Sequence, residues 1–463
     1  MGPEPGLRRG LALLVAGAFF MEILDGTILA PAAPHIAADL GVAPVDINLA
    51  ITAYVLTLAV LIPISGWLAD RFGARRVFTA ALVVFTLASA ACAAAPTLPV
   101  LTATRVLQGV GGAMMVPVGR LVVLRTTART DLVRAIAYLT WPALAAPVVA
   151  PALGGVLSSY ASWRWIFVIN VPLGLVGVLL ARRLVPDLRG DRPEPLDVRG
   201  FALTAVGVGA LVVGLESLGA GELRWWPVAA GLGTAALGLG LAVRHLLRTP
   251  RPLLDLRILR IASYRVSALG GSVHRAVITA VPFLLPLLFQ LGFGWTAAEA
   301  GLVVIALFLG NVGIKPATTP LMRRFGIRTV LLGALVGSAL CLLAMAFLQP
   351  NTPLPLLLAL LALSGICRSI GFTAYNSVAF ADVEPARMTH ANTLLSTLQE
   401  LGAGLGVAVA ALLVRLGEVA GPVAGADGPF RVAFVLLAVL LAAPAVEGVL
   451  LSRTAGDAVT GRG

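Results

Sequence analysis

The 463-residue chain is 59% hydrophobic and only 12% charged, with a net charge of +12 and a mean hydropathy of +0.95. A soluble domain carries about 45–50% apolar and about 25% charged residues, so a soluble protein is excluded and an integral membrane protein is expected. The apolar runs are about twenty residues long rather than alternating ten-residue segments, which selects helices over a barrel.

The first run, 11–33, contains FFMEILDGTILAPAAP, with Glu22 and Asp25 inside it. A charge at the centre of a membrane helix costs about 2.5–3.5 kcal/mol, so the two acids need a reason to be there. They also interrupt what would be the apolar core of a signal peptide. With a second span following at once, the segment is expected to be a helix of the folded protein. The spacing predicts five more spans at 47–69, 77–95, 99–124, 134–158 and 164–184. Two follow at 200–218 and 226–246, and six at 266–291, 297–317, 328–348, 353–380, 391–416 and 430–451. That makes fourteen helices, with both termini on one side.

Basic residues orient the chain. With the N-terminus inside, 26 of the 34 Lys and Arg fall in inner segments, Arg120 counted among them, and only Arg164, Arg224, Arg415 and Arg431 in outer loops. The positive-inside rule then puts both termini in the cytoplasm. The positive charge is read as topology and contact with membrane lipids, with no nucleic-acid partner. Cys92, Cys341 and Cys367 lie singly in apolar runs, so neither a disulfide framework nor a metal site is expected.

The loop after the second span reads LADRFGARRV, and the loop after the tenth reads LMRRFGIRTV; six of ten positions match at an offset of 253 residues. Equivalent loops in equivalent places imply two six-helix units with the same orientation. The expected organisation is an N-terminal bundle at 1–185, a two-helix insert with charged, Pro-rich linkers at 186–265, and a C-terminal bundle with a short tail at 266–463.

Several motifs then carry a resemblance. LDGTI, GWLADRFGARR, RVLQGVGGAMMVPVGR, APALGG and WRWIFVINVP, met along the chain in that family's order, resemble the major facilitator superfamily and its fourteen-helix drug:proton antiporter branch, the EmrB/QacA-like group. The resemblance implies an all-α membrane fold of two six-helix halves plus two central helices. It also implies a bacterial cytoplasmic-membrane exporter acting as a monomer, driven by the proton gradient without any other cofactor. Gly66, Asp70, Arg71, Gly73, Arg75 and Arg76 would form its gating loop, against a plainer reading as ordinary inner-loop charge. Pro147, Pro151, Gly154 and Gly155 would form its antiporter motif, against a generic packing helix. The family favours Gly where this chain has Ala146 and Ala150.

Glu22 and Asp25 are three apart and share a helix face near the membrane midplane. An acid that takes up and releases a proton there meets the requirement for a proton carrier; the alternative is a static ion pair with an Arg of the fourth span. Asp25 matches the family's span-one acid, so proton coupling is assigned to it, with Glu22 assisting and Arg105 as counter-ion. Gln108, Arg275, Arg368, Glu400 and Asn376 are candidate cavity residues, because polar groups inside a bundle face its interior, with structural pairing as the alternative for Arg275 and Arg368. Gln290 and Tyr375 could line the path as Asn376 could, with nothing in their apolar context to rank the three, and His274 reads as a packed polar residue rather than a proton relay. Lys315, near a helix end, is expected to snorkel to the interface.

Lys315 is the only lysine and is followed by Pro316, so no phosphate-binding Gly-Lys-Ser/Thr loop is possible. No metalloprotease, serine-hydrolase or Cys-x-x-Cys motif occurs either, so no enzyme is expected. Export of amphipathic or lipophilic compounds is the leading reading. Transport of a specific lipid, siderophore or metabolite, and a non-transporting receptor or scaffold, are the alternatives.

Overall fold

The computed structural model describes residues 9–190, 195–219, 225–419, 427–452 and 454–456. Among them all regular structure is helical. The first bundle contains α1 (Arg9–Leu40), α2 (Asn48–Leu61), α3 (Ser65–Phe72), α4 (Ala74–Ala93), α5 (Leu98–Thr126), α6 (Leu132–Tyr160), α7 (Trp165–Val168) and α8 (Asn170–Leu184). An insert pair follows, α9 (Val198–Gly219) and α10 (Trp225–Arg248). The second bundle contains α11 (Ala262–Arg265), α12 (Gly271–Leu287), α13 (Ala297–Gly313), α14 (Lys315–Phe325) and α15 (Ile327–Met345). It closes with α16 (Leu354–Ala379), α17 (Met388–Val419), α18 (Gly428–Leu440) and α19 (Ala442–Leu450).

Among the described residues twelve helices are long and apolar enough to cross a membrane, or thirteen if one bent pair counts as a span. Of the fourteen expected spans, 134–158 and 297–317 are not among the twelve. The first coincides with α6, a 29-residue helix several of whose side chains, Pro151 included, lie outside the described residues. The second is the bent pair, Glu299–Gly313 and Lys315–Phe325, with 49° between its arms. Pro316 sits in the first turn of the second arm, where it cannot donate back into the first. α1 outruns its expected end at residue 33 and continues to Leu40 through Pro31 and Pro34. The carbonyls those prolines leave without an intrahelical partner belong to Thr27 and Ala30, both on the exposed face of the helix.

The repeated loop has one geometry in both copies. Gly73 (φ +91°) and Gly326 (φ +81°) each end a short helix in a conformation that L side chains rarely adopt. Each amide caps the helix before it, Gly73 to the Ala69 carbonyl at 3.0 Å and Gly326 to that of Met322 at 2.9 Å. The helix before each is broken from its predecessor, at Ile62–Ile64 in the first copy and at the 49° bend in the second.

The insert helices pack on each other through glycines: a Cβ added at Gly231 would lie 2.6 Å from the Gly214 Cα. Small residues allow this approach between helices that gain nothing from a hydrophobic effect in lipid. α9 lies against α2 and α17, so the pair covers one side of the junction between bundles. Asp197 anchors it, accepting from the Gly200 amide (2.8 Å), the Leu253 amide (3.3 Å) and His245 Nε2 (2.8 Å). Burial alone would raise the Asp197 carboxyl, but these hydrogen bonds outweigh it and hold the group below its ordinary range.

Candidate functional site

Asp25 is fully buried on α1, and its carboxylate accepts three hydrogen bonds. Arg105 of α5 donates through Nη1 to Oδ2 in an ion pair that water does not reach. Gln108 Nε2 (2.8 Å) and Asn170 Nδ2 (3.0 Å), from α5 and α8, donate to Oδ1. Gln108 also accepts from Arg105 at 2.7 Å and donates to Ser89 of α4 at 2.7 Å. Donors from two helices thus meet a carboxylate carried by a third, with Ser89 of a fourth holding Gln108, and the extra donors answer lone pairs that an isolated buried pair would leave bare.

The glycines of the fourth-span motif make that convergence possible. A Cβ at Gly109 would sit 2.7 Å from Thr57 Cβ of α2, and one at Gly111 would sit 2.7 Å from the Phe85 amide nitrogen of α4. With α5 pressed against both neighbours, the Arg105 guanidinium lies over the Tyr54 ring, 4.1 Å from its centroid. Arg105 Nε and Nη2 have no hydrogen-bond partner, so this aromatic face is what they meet.

Gln108 is therefore not a cavity residue, as its polar side chain in a span suggested; it is wholly buried against Asp25. Asn170 is a candidate-site residue that the sequence did not single out. It stands inside the WRWIFVINVP motif as the one amide of an otherwise apolar stretch, which was the available signal.

Glu22, one turn before Asp25, is half-buried and faces the space between the bundles. Glu400 of α17 and Arg275 of α12 are half-buried too, and with Arg120 of α5 they lie within Coulombic reach of Glu22. Arg275 also stacks over the Phe372 ring at 5.1 Å. Arg120 was counted with inner-loop charge, but it is buried where the bundles meet. There it donates to Gln399 at 3.2 Å, and Gln399 in turn donates to Asn376 Oδ1 at 3.1 Å. Its place inside the fourth apolar run was the signal. Arg368 and His274 lie deeper in the second bundle, with Arg368 Nε and Nη1 and both His274 nitrogens unpartnered. His274 packs at 5.5 Å from the Tyr375 ring. Gln290 Nε2 donates back to the Pro286 carbonyl of its own helix at 3.2 Å.

Hydrogen bonds between the bundles gather near the end that carries Gly73 and Gly326. Asp70 pairs with Arg125 at 3.2 Å and accepts from Thr389 of α17 at 3.2 Å, and Arg125 also bonds Thr389. Asn392 donates to the Pro117 carbonyl at 2.8 Å and Arg129 to that of Val383 at 3.3 Å. Gly66 lets this seam close, since a Cβ there would lie 2.9 Å from Thr389 Cγ2. The loop's basic residues do not gather around Asp70: Arg75 donates to the Val185 carbonyl at 2.5 Å, and Arg71 and Arg76 point outward, exposed.

Lys315 does not snorkel. The bend at its helix turns it inward, where Nζ donates to Thr373 at 2.7 Å and across the junction to Thr140 of α6 at 3.0 Å. On α6, Gly154 brings the helix against α1, its missing Cβ 2.7 Å from the Ile28 carbonyl, one turn from Asp25. Gly155 faces open space and Pro147 is half-buried.

Comparison with known proteins places the chain in a family. The family model described as Major Facilitator Superfamily matches residues 15–266 and again 267–458. A Salmonella dublin protein described as "Putative multidrug resistance protein MdtD" is 37% identical over 441 residues, covering 94% of this chain and 93% of its own. The protein of the same description from Salmonella typhimurium matches equally, at 37% over 441 residues. Among solved structures, the human organic anion transporter MFSD10 (TETRAN) superposes with a TM-score of 0.69 at 17% identity, covering 97% of this chain and 100% of its own. The proton:xylose symporter XylE superposes with a TM-score of 0.65 at 12% identity, covering 96% of each. At those identities the two structures speak for the fold alone.

Proposed function

The chain belongs to the major facilitator superfamily and is a multi-pass membrane transporter, and we propose that it exports amphipathic or lipophilic organic compounds in exchange for protons. The description of its Salmonella relatives as multidrug resistance proteins supports that cargo class. In this reading α6 and the bent α13–α14 pair complete fourteen spans, and the domains follow 1–185, 186–265 and 266–463. Both termini face the cytoplasm of a bacterial inner membrane, supported by the basic inner loops. A single chain supplies both bundles, and a monomer suffices.

One observation carries the reading: the buried Asp25–Arg105 pair stands on the helix whose preceding turn presents Glu22 to the space between bundles. A proton delivered to Asp25 removes the counter-ion of a guanidinium that already has two unbonded nitrogens. Arg105 must then find another partner or move, and α5 carries the strain directly to Arg120 and Arg125 at the junction. Deprotonation restores the pair. This links one proton to rocking of the bundles, the motion that exposes the central cavity to alternate sides. In this reading the bonds gathered at the Gly73 end close the cytoplasmic side.

A second reading, a specific polar metabolite on the same machinery, draws on the mixed charges of Glu22, Glu400, Arg275 and Arg120. The test uses vesicles with the cytoplasmic face outward, given an acid lumen and either a lipophilic cationic dye or an anionic one. The cationic dye should accumulate with the gradient and leak back when a protonophore collapses it. Accumulation of a dye that ignores the gradient would overturn proton coupling, and accumulation of neither dye, with proton release from the lumen triggered instead by a polar metabolite, would favour the second reading.

A further inference from the structure

The two copies of the repeated loop meet the junction in opposite chemical states. In the first copy, Asp70 supplies a carboxylate, and Arg125 and Thr389 converge on it. The seam there encloses about 910 Å³, walled on the outside by the insert linkers, among them Leu188, Asp197 and Leu253. In the second copy, Arg323 stands where Asp70 does, 253 positions on. The corresponding seam lies between α6 and the α13–α14 bend and holds a groove of about 540 Å³. Its cations are Arg134, Lys315 and Arg323, and no acid lines it. Among the described residues its lining comes from α6, α13 and α14 and not from the insert.

We infer that this groove is a site for an anionic phospholipid, whose phosphate lies between Arg134 and Arg323 and so supplies the negative charge that the second loop lacks. Three features select that occupant. The charge is uniformly positive, and a basic pocket between membrane helices at the headgroup level is what an anionic headgroup complements. Between the rim and Lys315 the walls are mainly apolar, from Ala137, Val312, Pro316, Pro320 and Trp141, which is 42% exposed. The rim and Lys315 are eight residues apart along α14, about 12 Å, which leaves an acyl chain a lane beside the helix. Among the described residues no acid holds Arg323 or Arg134: Arg323 reaches the Thr130 carbonyl at 3.5 Å, and Arg134 stacks over Tyr138 at 6.0 Å. The lipid would bridge α6 of one bundle to α14 of the other, and so favour the closed seam as Asp70 does on the opposite side.

The test is native mass spectrometry of the full-length protein titrated in detergent with phosphatidylglycerol or phosphatidylethanolamine. It is paired with thermal unfolding in nanodiscs of phosphatidylethanolamine with and without phosphatidylglycerol. Wild type should retain one phosphatidylglycerol preferentially and unfold at higher temperature when that lipid is present. Arg134→Gln with Arg323→Gln should weaken this association about thirty-fold, while Arg182→Gln with Arg183→Gln, which removes the same charge from an exposed helix end, should not. Thr319→Trp, which fills the groove without touching charge, should also abolish retention and covers the case in which the double variant folds poorly. Equal loss in both double variants would mean diffuse surface attraction, and an unchanged preference in Thr319→Trp would mean no groove. Stabilisation by inorganic phosphate alone, matching that by the lipid, would make it a free-anion site. Each of these outcomes overturns the assignment.

Discussion

Replacing Asp25 by Asn keeps the side chain's shape and removes only its charge. Gln108 and Asn170 carry amides that can turn to suit an Asn, so their hydrogen bonds at 2.8 and 3.0 Å are recoverable. The Arg105 charge is not, because its side chain is wholly buried. Removing one partner of a buried pair costs about 3–5 kcal/mol. What remains to the guanidinium is the Tyr54 face at 4.1 Å, worth about 2 kcal/mol when desolvated and already present before the change. Asp25→Asn should therefore be strongly destabilised, Arg105→Gln similarly, and the double variant should recover most of the loss. The expected coupling energy is about 2–4 kcal/mol, measured as a thermal-unfolding cycle in detergent with matched denaturant titrations. In vesicles, the double variant should still exchange dye across the membrane but no longer concentrate it against a pH gradient. Additive single effects would refute the pair as an energetic unit. Concentrative export by the double variant would refute Asp25 as the proton carrier.

Four further outcomes follow from the geometry. Gly66→Val places a methyl-bearing side chain where even a Cβ would lie 2.9 Å from Thr389 Cγ2, so paired spin labels on α3 and α17 should move apart; an unchanged distance distribution would contradict the close-approach argument. Lys315→Met should leave thermal stability equal or higher, because Thr140 and Thr373 keep their own bonds to the Ile136 and Ser369 carbonyls at 2.9 Å, while a buried ammonium is exchanged for an apolar chain of similar length; a fall of more than about 2 kcal/mol would show Lys315 to be a net stabiliser. Glu22→Gln with Glu400→Gln should shift dye preference from cations toward anions, read from the ratio of initial export rates, and an unchanged ratio would remove both acids from the cavity's selectivity. Asp197 lies below its ordinary range in the folded protein, so its contribution is present above the unfolded value near 4 and is lost as pH falls through the folded one. Protection of the insert linkers from hydrogen exchange should thus weaken in acid for wild type and be weak and pH-independent there for Asp197→Asn.

Much of this molecule is legible one helix at a time. Apolar run length marks the spans, and the offset of 253 residues between the repeated loops anticipates the matched turns at Gly73 and Gly326, because a positive φ demands glycine wherever the chain turns that way. Two acids inside an apolar run announce Asp25 and Glu22, since an ion in oil must have a use or a partner. What periodicity cannot supply is adjacency between helices far apart in sequence. That Asn170, 145 residues from Asp25, completes its donor set depends on how α8 docks beside α1 and α5. Arg120 reads as loop charge until α17 is packed against α5, and Lys315 reads as a snorkelling end until a 49° bend turns it inward to Thr140. Hydropathy and spacing report which face of a helix avoids lipid. They are silent on which neighbour that face meets, because neighbours are chosen by close approach at glycines and by the pairing of buried charge, and both are properties of the assembled bundle.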